Sequence, residues 1–368
     1  KEAFIKPRDY RNKTLYQTNP THPGLYNGPY RITKIIPGSY IVLEKNKYWM
    51  GKSPAFKQIQ IKIIEKTSAL EANLLSGAID YIAGEAGLSL DQAVSFEKRH
   101  SDKYRGSYKP GLIYEHLDLM LDNPILSDVR VRKALIHSID RTAISNQLFN
   151  GKQPVAHNKV HPLDWIHTSN IKKYSYDPQK ARAWNIIKSG IRHNSKGQKL
   201  QLELMSTAGN RVRELVEQVL QSYWKTVGIE IKIRNQPARV LFGETISKRK
   251  FTGLAMFAWL SAPEALPRTT LHSESIPTEE NNWSGQNYTG YKNKLMDQLI
   301  DAIEIELEKD KRKKLWEKLQ KLYAEQIPAI PLYFRSNSYI IPNWLKGIRP
   351  TGHMFTSTNW IEDWYVVR

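Results

Sequence analysis

Three histidines, His157, His161 and His167, fall in the run HNKVHPLDWIH. Imidazole is a common metal ligand, and an i, i+4 pair such as His157 and His161 would share one helix face. Pro162 directly follows the second histidine and argues for a loop, because its ring breaks the helical hydrogen-bond ladder. No glutamate completes an HExxH arrangement. The run therefore reads as a polar loop, and no metal site is expected. The chain has no cysteine, which removes thiol catalysis, disulfides and Cys-ligated metals. No GxSxG, P-loop or GxGxxG sequence occurs, so the local signatures of elbow-type hydrolysis and nucleotide binding are missing. Asp80, Asp118 and Asp122 are scattered and nominate no acid–base pair. No catalytic residue and no cofactor is expected.

Aromatic residues are the better lead. The chain holds 10 Trp and 19 Tyr. Most belong in cores or on lobe surfaces, but Trp259, Trp283 and Tyr288 sit among loop-forming residues, including Pro263, Pro267, Ser284, Gly285 and Asn287. Aromatic side chains on loops beside a buried strand suit the wall of a ligand pocket. GLAMFAWLSAPEALP, residues 253–267, reads as such a strand, with Leu254, Met256 and Ala258 alternating toward a loop at Trp259. It is shorter than the ~18 apolar residues a membrane span needs.

The elements that must position these residues follow from periodicity. YRITKII, SYIVLEKN and FKQIQIKIIE alternate with period two and read as strands, with PGS at 37–39 as a turn. SALEANLLSGAIDYIA reads as a helix, a stop at Gly77 and a strand. KLQLELMS directs Leu200, Leu202 and Leu204 inward. Val212, Leu215, Val216, Val219, Leu220, Tyr223, Trp224 and Val227 then form one helical stripe. Gly228 ends that helix, and Ile229, Ile231 and Ile233 alternate again. A strand–helix–strand of this length predicts two parallel strands with a crossover helix. NKLMDQLIDAIEIELEKD and KRKKLWEKLQKLYAEQ form a helical pair. IPAIPLYF is a buried extended segment, and short aromatic strands close the chain near WIEDWYVV.

At 368 residues the chain suggests two lobes. Its formal charge of +19 raises nucleic acid as a partner. The basic residues are dispersed, however, and their densest run, KDKRKK at 309–314, lies where a solvated helix face is expected. No helix-turn-helix, RNA-recognition or zinc-finger pattern accompanies them, so nucleic acid is not expected. The N-terminal stretch KEAFIKPRDYRNKTLYQ shows no charged-then-apolar signal pattern.

Several stretches in order resemble the bacterial extracellular solute-binding proteins of family 5, the peptide and oligopeptide receptors of ABC importers. NGPYRITKIIPGSYIVLEKNKYWMGKSPAFKQIQIKII is similar to that family's G-P-Y segment and the strands after it. LSGAIDY matches its G-x-I-D step, and LSDVRVRKALIHSIDRTAISNQLFNGKQPVA its D-V-R-V-R-x-A-L motif. VGIEIKI, AWLSAPEALP, GYKNKLMDQLIDA and AEQIPAIPLYF follow in the family's order. Within the motif, Val129, Val131, Ala134, Leu135 and Ile139 read as a core stripe and Asp128 as a helix N-cap. Arg130, Arg132, Asp140 and Arg141 read as structural ion pairs.

The resemblance implies an α/β, two-lobed periplasmic-binding-protein-like fold of type II, in the large peptide-binding class, with its first lobe incomplete. The expected divisions are 1–121 for the first-lobe segment, 122–328 for the second α/β lobe and 329–368 for a return to the first. Crossings are expected near Leu121–Pro124 and Ile327–Leu332. It implies a non-enzymatic, monomeric receptor, periplasmic or otherwise extracytoplasmic and lipid-anchored when full length. Hinge bending would close the lobes on a peptide or peptide-like ligand for delivery to a membrane permease. A hydrolase, or the same fold binding an oligosaccharide, an opine-like compound or a metal chelate, is the alternative. The implied ligand contacts are Phe257, Trp259, Ser261, Ala262, Glu264, Trp283, Asn287 and Tyr288.

Two departures bear on the ligand. Many peptide-binding members carry an aspartate, three residues after the tryptophan matched by Trp259, that pairs with the peptide's α-amine. Here Ala262 stands there, a loss of about 2 kcal/mol for such a charge-assisted pair. Glu264, two residues on, could take its place only if the loop shifts. The asparagine often found before the D-V-R-V-R motif is Met120. Both changes favour a ligand other than a standard short peptide, or one held through backbone and aromatic contacts.

Overall fold

The computed structural model describes residues 13–64, 67–84, 87–181, 186–352 and 357–367. The first twelve residues, part of the stretch without a signal pattern, lie outside the described residues. Contacts divide the chain into one unit of Lys1–Gly111 with Ser336–Arg368 and another of Leu112–Arg335. The sequence places these divisions at 121/122 and 328/329. In the structure they fall inside two long strands, β4 (Tyr104–Leu119) between Gly111 and Leu112 and β8 (Ala329–Pro342) between Arg335 and Ser336.

In the first unit, β1 (Tyr30–Ile36), β2 (Tyr40–Lys45) and β3 (Gln58–Lys62) form an antiparallel meander, with Ile35 opposite Ile41 and Ile41 opposite Ile61. The PGS turn places Gly38 at φ +72°, open to glycine without strain. Two helices follow, α1 (Thr67–Leu75) and α2 (Leu90–Arg99). Gln92 Oε1 accepts from the Ser89 N–H at 3.1 Å and starts α2. Leu74, Leu88, Ala93, Phe96 and Ile340 form one core, and Tyr30, Tyr339, Ile341, Leu345, Ile361 and Trp364 another. The strand expected after Gly77 is reduced to a single bridge, Ile82 to Ile340. The aromatic close is mostly a 3-10 stretch, Ser357–Asp363, before a two-residue strand, Tyr365–Val366, paired with Leu345–Lys346.

In the second unit, Asp128 accepts from the Arg130 N–H at 2.8 Å and caps α3 (Val129–His137). Asp140 does the same for α4 (Arg141–Phe149) through the Ala143 N–H, at 2.8 Å. Of the expected ion pairs, Arg130 meets Asp128. Arg132 instead donates to the carbonyls of Leu126, Ser127 and Gln326. Arg141 donates to those of Ala156, Tyr174 and Pro331. Buried carbonyls satisfy these guanidinium groups without a second buried charge. Desolvation still lowers the Arg141 pKa to about 10.

The predicted strand–helix–strand is present as β5 (Gln201–Met205), α5 (Arg211–Thr226) and β6 (Glu230–Ile233), with β5 and β6 parallel. The buried face of α5 differs from the apolar stripe. It comprises Arg213, Val216, Glu217, Leu220 and Trp224, while Val212 and Leu215 are exposed. Arg213 turns inward because it meets the fully buried Glu115, and Glu217 because it meets Asn235. The main sheet has the order β8-β4-β7-β5-β6, where β7 is Leu254–Leu260, antiparallel to β4 and parallel to β5. Gly253 is needed before β7, because a Cβ there would lie 2.2 Å from the Glu203 carbonyl oxygen. Helices α6 (Lys294–Ile305) and α7 (Lys309–Gln326) complete a core of Met296, Leu299, Ile300, Ile303, Trp316, Leu319 and Tyr323. The KDKRKK run forms the start of α7, mostly exposed. Among the described residues no helix is long and apolar enough to cross a membrane.

Candidate functional site

The second unit contains the site, built on the antiparallel pair β4 and β7. Alternation along β4 sends Tyr114, His116 and Asp118 to one face. Their register partners on β7 are Trp259, Phe257 and Ala255. Glu115, on the opposite face, is held by Arg213 Nε at 2.7 Å and Arg335 Nε at 2.8 Å. The two faces of β4 thus carry different polar work.

An aromatic wall runs across the strands. Tyr114 and His116 stack at 4.9 Å with planes 5° apart, and His116 meets Phe257 edge-on at 4.6 Å. Phe257 meets Trp259 at 5.4 Å, and Trp259 stacks on Tyr288 at 5.9 Å and 20°. In front of it lies a cavity of about 140 Å³, lined by Tyr114, His116, Asp118, Lys159, Trp259, Ser261, Thr270 and Tyr323 among others. A buried water needs ~10–15 Å³ on this kind of measure, so the space admits a ligand group of about ten water-sized units.

The polar groups are placed with care for charge. His116 Nε2 lies 3.2 Å from Asp118 Oδ1, with both side chains almost wholly buried. Tyr114 and Tyr323 share a hydrogen bond of 3.1 Å between their hydroxyls. Burial raises the pKa of both phenols, so both are neutral. Lys159 Nζ donates to Thr270 Oγ1 at 3.1 Å. Desolvation pushes its pKa down to about 8, against the attraction of Asp118. A smaller cavity of about 10 Å³ adjoins the first, lined by Lys159, His161, Asp164, Ser261, Ala262 and four apolar neighbours. Lys159, Ser261 and Ala265 line both spaces.

Of the residues expected at the site, Trp259 and Ser261 line the larger cavity, and Ser261 and Ala262 the smaller one. Trp259 belongs to β7 itself rather than to a loop after it. Phe257 and Tyr288 back the wall without lining the space. Glu264 is engaged elsewhere: its carboxylate accepts from Trp165 Nε1 and lies 3.5 Å from Arg312 Nε. Its own N–H donates to Asp164 Oδ2 at 2.8 Å. Trp283 sits in a turn at φ +59° with its N–H on the Thr278 carbonyl, away from both cavities. Asn287 is fully buried and saturated. It donates to the His272 and Tyr291 carbonyls and accepts from Thr289 Oγ1 and the Tyr291 N–H.

Tyr114, His116, Asp118, Lys159 and Tyr323 escaped the sequence reading. Tyr114, His116 and Asp118 share a face only through the alternation of β4, and nothing local in the sequence singles out Lys159 or Tyr323. His157, His161 and His167 lie in an irregular loop, and burial is the main cause lowering all three pKa values, that of His157 to about 4. Among the described residues no group of three His, Cys, Asp or Glu is placed to hold a metal ion.

Residues 3–274 match the family described as bacterial extracellular solute-binding proteins, family 5 Middle. The chain belongs to this family. It is a family of solute-binding proteins rather than enzymes. The family 5 chain is 24% identical over 352 residues to the oligopeptide-binding protein AppA of Bacillus subtilis, covering 93% of this chain and 62% of that protein. It is similar to the oligopeptide-binding protein from Thermus thermophilus complexed with a pentapeptide, at 29% identity and a TM-score of 0.68. That match covers 91% of this chain and 62% of the other. The fold is also that of NikZ from Campylobacter jejuni in complex with Ni(L-His), at 24% identity and a TM-score of 0.69, covering 96% and 70% of the two chains. The family 5 chain thus spans about 62% of the length of the first two relatives. Its mixed α/β fold is the one these oligopeptide-binding structures share.

Proposed function

We propose that this chain is the ligand-binding part of an extracytoplasmic receptor that captures a peptide-like solute for the permease of an ABC importer. The observation that carries the reading is the cavity before Trp259, which joins an aromatic wall to two charged groups, the buried Asp118 and the half-buried Lys159. Apolar surface with a few convergent polar groups is how proteins hold small ligands with orientation. The names of the relatives, oligopeptide-binding in B. subtilis and pentapeptide-bound in T. thermophilus, support a peptide-like ligand. The family's extracellular character supports action outside the cytoplasm, in the periplasm or on a lipid anchor. One ligand-binding unit needs no second copy, and we assign a monomer.

Native mass spectrometry of the freshly purified full-length protein tests the reading. A co-purified mass that fragments as a peptide is the expected result. A non-peptide solute would overturn the peptide-like ligand, and no bound solute with no thermal shift across peptide and solute pools would overturn the receptor.

A further inference from the structure

The smaller cavity beside Ala262 is rich in hydrogen-bond donors. His161 is 6% exposed, and its Nδ1 accepts from the Leu163 N–H at 3.1 Å. That nitrogen carries the lone pair, so the neutral ring holds its proton on Nε2. Burial, with His167 nearby, keeps the ring neutral, and Asp164 opposes this only in part. Nε2 has no hydrogen-bond partner among the described residues. A buried N–H without an acceptor costs about 1–3 kcal/mol, so its retention points to an acceptor that arrives with the ligand.

Lys159 supplies the second donor. The residue lines both cavities, and among the described residues its ammonium has one hydrogen-bonding acceptor, Thr270 Oγ1. An ammonium offers three protons, and a desolvated one needs an opposing charge. Asp164, the carboxylate lining the smaller cavity, is turned to backbone: its oxygens accept from the Ile166 and Glu264 N–H groups. Asp118 faces Lys159 from the larger cavity, where His116 already lies against it.

We propose that the ligand sets an anionic oxygen, of a carboxylate or equivalent oxyanion, against Lys159 Nζ and the His161 Nε2–H, with its apolar body along Trp259. Asp118 then fixes the direction of binding, because it repels a second anion at the other end. This assignment rests on the larger cavity being the solute site. Lining the two cavities with Lys159 are the titratable groups Tyr114, His116 and Asp118 from β4, Tyr323 from α7, and His161 and Asp164 from its own loop, besides its acceptor Thr270 on the short Arg268–Leu271 helix. Among the described residues none of them forms an ion pair with Lys159: the Asp164 oxygens are held by the Ile166 and Glu264 N–H groups, and Asp118 lies against His116.

The test begins with the solute released from the purified full-length protein. It is expected to carry a carboxylate, phosphate or sulfonate, and calorimetry should show its amide or ester binding at least about tenfold more weakly. Lys159→Met should erase that discrimination, and His161→Phe should reduce it, with circular dichroism unchanged. Ala262→Asp places a carboxylate among the donors and should raise the melting temperature while abolishing binding. A released solute without an acidic group, or equal affinity for the blocked form, overturns the anion assignment and leaves the receptor reading standing. If no solute is released and glycyl-L-tyrosine, N-acetyl-L-tryptophan, glutarate and wider solute pools all fail to shift melting, both fall.

Discussion

Trp259 and Tyr288 lie nearly face to face, with ring centroids 5.9 Å apart and planes 20° from parallel. Tyr288 holds one face of the indole, and Phe257 meets it edge-on at 5.4 Å, so the tryptophan that lines the cavity is fixed before any ligand arrives. Such preorganised aromatic area limits the entropy lost on binding. Trp259→Ala is expected to weaken the recovered solute by roughly 1–3 kcal/mol, read by calorimetry. Unchanged affinity would remove Trp259 from the binding surface.

Glu264 is the residue the sequence offers in place of an aspartate at position 262, and the structure gives its carboxylate to Trp165 and Arg312. Glu264→Gln should therefore leave ligand affinity within about twofold while lowering stability by about 1–2 kcal/mol, through the weakened charge-assisted contacts. Urea unfolding and calorimetry on one preparation separate the two effects. A large loss of affinity with stability intact would return Glu264 to the site.

Much of the scaffold was legible because it depends on local rules. Asp128 caps a helix in sequence as in structure, whereas Asp140, read as an ion-pair partner, is a cap as well; the β5–α5–β6 unit follows from alternation and a helical stripe. Trp259 was legible through its neighbours. Asp118 was not, because nothing local marks it as different from Asp80 or Asp122. Its meaning comes from Lys159, brought beside it by a loop distant in sequence, and from a register that sets it opposite Ala255. The inward turn of Arg213 was hidden for the same reason. Its partner Glu115 lies 98 residues away, and the apolar stripe of α5 pointed instead to the exposed Val212 and Leu215.

Asn287 shows how a polar loop residue can be structural. Its side chain satisfies four groups around the turn from His272 to Tyr291. Asn287→Ala is expected to lower stability by about 2–4 kcal/mol, since it strands two carbonyls and two donors in a buried place. Chemical denaturation measures this. A change below about 0.5 kcal/mol would mean the site rearranges or hydrates, and the residue would regain candidacy as a ligand contact.

Glu217 gives the fold a pH dependence with a definite sign. It is fully buried on α5; Asn235 Nδ2 donates to one oxygen at 2.7 Å, and the other has no partner among the described residues. Desolvation pushes its pKa up to about 7, with Glu214 adding to the rise and Asn235 and Arg213 opposing it. The native state therefore binds more protons than the unfolded chain between the ordinary value of 4.5 and about 7. The stabilisation from protonated Glu217 is fully present below the unfolded pKa and is lost as pH rises through 7, about 3 kcal/mol at most. His157 runs the other way: its native pKa of about 4 makes protonation destabilising as pH falls below 6.5. Glu217→Gln removes only the first effect. Relative to the natural chain, the variant should gain stability between pH 5 and pH 8, measured by urea unfolding at both values. An equal difference at the two pH values would show that Glu217 does not titrate in this range.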